Sequence, residues 1–176
     1  MIDNCQGIGT QEAILLARIY YQEGKRIIDQ SVKVSADANQ MMCRITVGYT
    51  NLSFACEVAL KALVVCHDGA LGKAPRGHSL MQLFGQLRSD VQTAVSYVTV
   101  EKCKQKLISQ NYTSEMFMRD LDKYSHTFEE ARYWYERTED SHTKKAGILF
   151  ISSLAEALFT ILPSTNDYEI DYKQHG

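Results

Sequence analysis

The chain predicts an all-α fold, a single-domain antiparallel helical bundle. Three observations carry that reading. Apolar residues recur three and four apart along most of the 176 residues, and no stretch alternates convincingly as a strand does. Only two prolines interrupt the backbone, Pro75 and Pro163, which leaves room for several long helices. The stretch Asn51–Leu87 joins an apolar helical run, NLSFACEVALKALVV, through a Gly-bearing loop to a second apolar start, RGHSLMQLFGQL. Inside the run, Glu57 and Lys61 stand one helical turn apart. An ionisable pair in a buried helix is expensive unless something nearby satisfies it.

Residues 1–9 are polar and Gly-bearing; they read as a flexible N-terminus and carry no signal-peptide pattern. A first helix starts at Thr10, an N-cap type residue followed by Gln11 and Glu12, and fades around Ser31–Ser35. A longer one runs from Asp37 to about Cys66 with a broad apolar face, and Gly48 inside it carries the usual helix penalty. The segment His67–Gly77 holds three glycines and Pro75 and reads as a loop. His78 or Ser79 then caps a helix bearing Leu80, Leu83, Phe84 and Leu87. Further helices are expected over Asp90–Ile108, whose centre is rich in Val and Thr, and over Ser114–Lys123. Thr127-x-x-Glu130 has the form of a capping box in front of Ala131–Glu136. The last helix covers Thr143–Leu162 and stops at Pro163. Residues 163–176 form a polar, acidic tail with the composition of a disordered segment.

The composition is that of a soluble globular protein, 45% hydrophobic and 23% charged, with a formal net charge of −2. Such a balance argues against broad non-specific nucleic-acid binding while leaving a local basic site open. The five cysteines, Cys5, Cys43, Cys56, Cys66 and Cys103, are scattered and never form CxxC, so they read as free thiols of a reducing compartment. No run of membrane-spanning length is free of charge. A cytoplasmic protein without membrane contact, metal or cofactor is expected.

Phe54–Leu63, Gly77–Leu87, and Phe128 with Arg132 and Tyr133 occur in an order that resembles the HEPN domain, the nucleotide-binding domain of higher eukaryotes and prokaryotes. By element order the resemblance covers Thr10–Leu162. It implies a small bundle of antiparallel helices that dimerises. Many members of that family cut RNA without a metal through an Arg-x4-6-His motif completed across the dimer. Others bind nucleotide or act as interaction modules, so membership alone does not settle activity. The role implied is RNA- or nucleotide-linked, as a metal-independent endoribonuclease of a defence or toxin–antitoxin type. The alternative is a non-catalytic module that dimerises or holds a nucleotide or protein partner.

Two pairs match the motif: Arg137 with His142, and Arg119 with His126. The late position favours Arg137 and His142 as the catalytic candidates. Five positions along one helix would hold them roughly 140° apart, whereas a helix break between them would bring both to one cleft. His142 would move a proton at the ribose 2′-hydroxyl or the leaving oxygen, and Arg137 would stabilise charge on the phosphate. Against this, Glu139 and Asp140 are acidic and repel a phosphate, as a solvated turn would read. A second set, Glu57, Lys61, His78 and Arg132, gathers the odd polar residue of each apolar motif. These four are expected to converge, either as a buried network fixing helix register or as a pocket for a phosphate or nucleotide. Lys102, Lys104 and Lys106 read first as a solvated face and only second as an RNA path. Tyr20 and Tyr21 read as core or interface aromatics.

Overall fold

A computed structural model describes residues 8–34, 37–68, 75–106, 111–131 and 141–162. Seven helices make up these residues, with no strand among them: α1 (Ile8–Val34), α2 (Ala38–Asp68), α3 (Leu80–Gly85), α4 (Ser89–Lys106), α5 (Ser114–Lys123), α6 (Thr127–Ala131) and α7 (Ser141–Ile161). The all-α expectation holds. The helical starts fall close to the expected ones, although α1 begins inside the segment read as a flexible terminus and α7 opens two residues early. The centre of α4 tolerates its threonines because Thr93 and Thr99 donate back to the carbonyls of Ser89 and Val95.

One hydrophobic core gathers side chains from α1, α2, α3, α4, α5 and α7. The central element is α2. It packs on α1, α3, α6 and α7, and buries Leu52, Ala55, Cys56, Ala59, Leu60 and Leu63 almost completely. By length and composition α2 is apolar enough to cross a bilayer, yet most of that stretch lies inside the protein. Phe117 and Phe150 fill the core between α5 and α7 with ring centroids 6.1 Å apart.

Close helix contact depends on glycine at three places. A Cβ on Gly24 of α1 would stand 2.8 Å from the Gly48 carbonyl oxygen and 3.0 Å from the Leu52 nitrogen. One on Gly48 of α2 would meet Ile28 Cγ1 at 2.6 Å and the Gly24 carbonyl oxygen at 2.8 Å. The two helices therefore touch backbone to backbone, and Gly48 is a contact residue rather than a tolerated fault in α2. In α7, Gly147 leaves room for the Tyr124 ring and the Tyr49 hydroxyl at 2.9 and 3.0 Å from the same hypothetical atom.

Two sequence expectations need correction. Thr127 does not cap: it lies inside α6, its hydroxyl donates to the Tyr124 carbonyl, and the Glu130 amide bonds the His126 carbonyl at 3.0 Å. The Glu130 amide is already taken by the His126 carbonyl, so it does not donate to the Thr127 hydroxyl as a capping box requires. Of the helix expected at Ala131–Glu136, only Ala131 is described. Cysteine usage also differs. Cys43, Cys56 and Cys103 are thiols, but Cys66 is disulfide-bonded, with its partner outside the described residues. A pairing between distant parts of the chain leaves no signature in cysteine spacing.

The Gly48–Gly24 contact yields a direct test. Gly48→Ala gains helix propensity of up to about 1 kcal/mol, yet overpacks a backbone contact at a typical cost of about 1–3 kcal/mol. Net destabilisation is expected in urea unfolding. Gly85→Ala, where an added Cβ meets nothing within 4 Å, is expected to be neutral or stabilising in the same assay.

Candidate functional site: a buried carboxylate between a lysine and a histidine

Glu57 sits on the inner face of α2 with only 2% of its side chain exposed. Lys61, one turn later, donates from Nζ to Glu57 Oε1 at 2.7 Å. The Lys61 stem covers apolar surface and leaves 22% of the side chain in solvent. From the turn before α3, His78 brings Nδ1 to the same Oε1 at 3.0 Å, with 49% of its side chain exposed. A carboxylate only accepts, so Nδ1 carries the donated proton and Nε2 is the free imidazole nitrogen. The other carboxylate oxygen, Oε2, is buried and has no hydrogen-bond partner among the described residues.

The chain reaches this geometry through local chemistry. Gly77 adopts φ +95°, a region closed to most side chains, and so turns the loop toward α2. Ser79 then caps α3, its hydroxyl accepting from the Gln82 amide at 3.2 Å. The Ser79 hydroxyl also meets Ser125 Oγ at 2.7 Å, and the Leu80 amide donates to the Ser125 carbonyl at 2.8 Å. The Met81 amide completes the joint on Ser125 Oγ at 3.0 Å. The His78–Ser79 turn is thereby tied to α2 on one side and to the α5–α6 turn on the other. Beside it runs a row of rings: Tyr20 edge-on to Phe54 at 4.6 Å, Phe54 against Phe128 at 4.8 Å, and Phe128 near His78 at 6.2 Å.

Three of the four residues expected to converge do so: Glu57, Lys61 and His78. Arg132 lies outside the described residues, although Phe128, one turn earlier in sequence, packs at the cluster. Arg137 also lies outside them. His142 falls within the backbone of α7, and its side chain lies outside the described set. The other formal pair turns to local acids instead: exposed Arg119 lies 3.7 Å from the partly buried Asp120, and His126 lies 3.3 Å from Glu129 on the surface.

The lysines of α4 are committed elsewhere. Lys106 donates to Glu156 at 2.8 Å and to Ser152 at 3.0 Å on α7, Lys102 stands 3.9 Å from Glu156, and Lys104 pairs with Glu101 at 2.8 Å. Two of the three thus join helices. Tyr20 and Tyr21 are partly buried and pack against Phe54 and Phe159. Burial pushes the Cys56 thiol well above its ordinary range, and its Sγ faces the Ile151 carbonyl, so it is a packing residue and no nucleophile. Burial raises Cys103 as well, against the opposing pull of hydrogen bonds to Ser153 and Tyr112. Among the described residues, no group of three or more His, Cys, Asp or Glu side chains is placed to hold a metal ion.

Sequence reasoning missed Ser125. Its only signal was a polar residue between two helical runs, and nothing in that pattern names Ser79 as its partner.

The arrangement makes Lys61 a stabilising residue. Lys61→Met removes one donor from a buried carboxylate, with an expected loss of about 1–3 kcal/mol in urea unfolding. Lys61→Arg keeps a donor and should lose less; equal stability of all three proteins would show that the carboxylate does not depend on this partner. Comparison of the chain with protein-family models, with curated proteins and with solved structures finds no match.

Proposed function

We propose that this chain is a HEPN-like antiparallel bundle with an RNA- or nucleotide-linked role, working as a homodimer. One observation supports the reading above others: the buried Glu57 carboxylate holds the half-exposed His78 through Nδ1 and the part-exposed Lys61 through Nζ, both on one oxygen. An oriented imidazole and a cation next to the Phe54 and Phe128 rings suit a phosphate and a base. In this reading Glu57, Lys61 and His78 bind and hold the bundle in register. Cleavage, where it occurs, falls to Arg137 and His142 as a metal-independent endoribonuclease, the arginine on the phosphate and the histidine on the proton.

A specific feature also favours the partner-binding alternative. Leu15, Leu16 and Ile19 are exposed together within about one turn of α1, an apolar patch suited to a protein surface.

Fluorescence anisotropy with labelled single-stranded RNA and with a labelled nucleotide, both in chelator, tests the first reading. Binding that Lys61→Met and His78→Gln weaken about tenfold, in proteins still folded by circular dichroism, is the expected result; that factor corresponds to roughly one lost charge-assisted contact. Cleavage of the RNA that Arg137→Ala and His142→Ala abolish would add the catalytic role. Absence of binding to either probe overturns the reading. In that case a dimer that Leu16→Glu and Ile19→Glu dissociate would favour the interaction module.

A further inference from the structure

Helix α1 carries apolar residues on two opposite faces. At about 100° per residue, Ile14, Ala17, Tyr21, Gly24 and Ile28 fall on one side, which packs on α2 and the core. Leu15, Leu16 and Ile19 fall on the other side, 42%, 42% and 53% exposed. Three of the six large apolar side chains left in solvent among the described residues thus share about one turn. The core accounts for the first face and not for the second. An apolar patch in water gains free energy when a partner covers it.

The charges on either side of the patch say what that partner is. The same face continues back to exposed Glu12 and forward to Gln22, Glu23 and Arg26. Ile19 lies at its centre, with Glu12 seven residues before it and Arg26 seven after. Arg26 donates to Glu23 through Nε at 2.8 Å and through Nη2, and to Gln30 through Nη1 at 2.7 Å. Even so, 53% of its side chain stays in solvent. A guanidinium has five N–H donors, so these three bonds leave two for a further carboxylate. Along α1 the order is acid, apolar patch, base. Its complement is base, apolar patch, acid, which is α1 itself run in the opposite direction.

We propose that the outer face of α1 is the contact surface between two copies of this chain, packed antiparallel about a two-fold axis beside Ile19. Such a contact sets each residue before the axis opposite one equally far after it. Ile19 then meets Ile19 of the second copy. Leu15 and Leu16 pack around it, against the stems of Gln22 and Glu23 of the second copy. At both ends Glu12 faces Arg26 of the second copy. A parallel pairing would instead set Glu12 on Glu12 and Arg26 on Arg26, like charge on like. The span from Glu12 to Arg26 is about 21 Å of helix, a small contact suited to a dimer that exchanges with monomer at roughly micromolar concentration. The proposal rests on the homodimer part of the proposed function and is independent of RNA or nucleotide binding.

Sedimentation equilibrium of the full chain over a range of concentrations tests it, with each variant checked by circular dichroism. The changed side chains are exposed, so the fold should be kept. Ile19→Glu, which sets two carboxylates face to face at the axis, is expected to weaken the dimer at least about tenfold. Glu12→Arg and Arg26→Glu should each weaken it about threefold, and the double variant, which exchanges the charges across the axis, should recover the wild-type affinity. A double variant weaker than either single one overturns the proposal. So does a dimer that Ile19→Glu leaves intact, in which case the homodimer reading stands and its surface lies elsewhere. A chain that stays monomeric at every concentration overturns both.

Discussion

A carboxylate held out of water must be met by donors, and the structure around Glu57 is arranged by that requirement. The two donors differ in what they demand of the fold. Lys61 comes from the same helix one turn away, so forming α2 already brings it into reach. His78 comes from 21 residues along the chain and arrives only when the Gly77 turn is made and α3 is docked on Ser125. The carboxylate thus links the formation of one helix to the placement of another. It does so through one oxygen, since Oε2 has no partner among the described residues. A buried ionic group satisfied on one oxygen is poor evidence of net stability, and its value here is in fixing which parts meet.

Packing acts through a different device. Gly24 and Gly48 let α1 and α2 touch at backbone distance, and Gly147 lets α7 close over Tyr124 and Tyr49. These contacts set how near the helices come. They do not by themselves choose a register, since an apolar face accepts several offsets. The polar ties do choose: Glu57 with His78, Ser79 with Ser125, and Lys106 with Glu156 and Ser152 each join residues far apart in sequence. The α4 lysines that resemble a nucleic-acid path in the sequence belong in part to this second group.

Helices were legible because their signal is local. Apolar spacing and Ser79 as an N-cap both act within one or two turns. The convergence of Glu57, Lys61 and His78 was legible for another reason: a charged residue inside an apolar motif has to be satisfied, and few polar residues were available to do it. What stayed hidden was pairwise and long-range. Nothing near Gly48 announces Gly24, nothing near Lys106 announces Glu156, and the spacing of the cysteines does not announce the bond at Cys66. The Thr127 capping box failed because the amide it needs, that of Glu130, met a competing local acceptor, the His126 carbonyl.

The central claim is that Glu57 and His78 act as one unit that ties α2 to the turn before α3. A double-mutant cycle on unfolding free energy, with Glu57→Gln, His78→Ala and the combination, tests it most directly. The account predicts a favourable coupling of about 1 kcal/mol, the lower part of the range for a hydrogen bond to a charged group because half of the His78 side chain is in solvent. Single-variant losses that simply add, within about 0.3 kcal/mol, would contradict it.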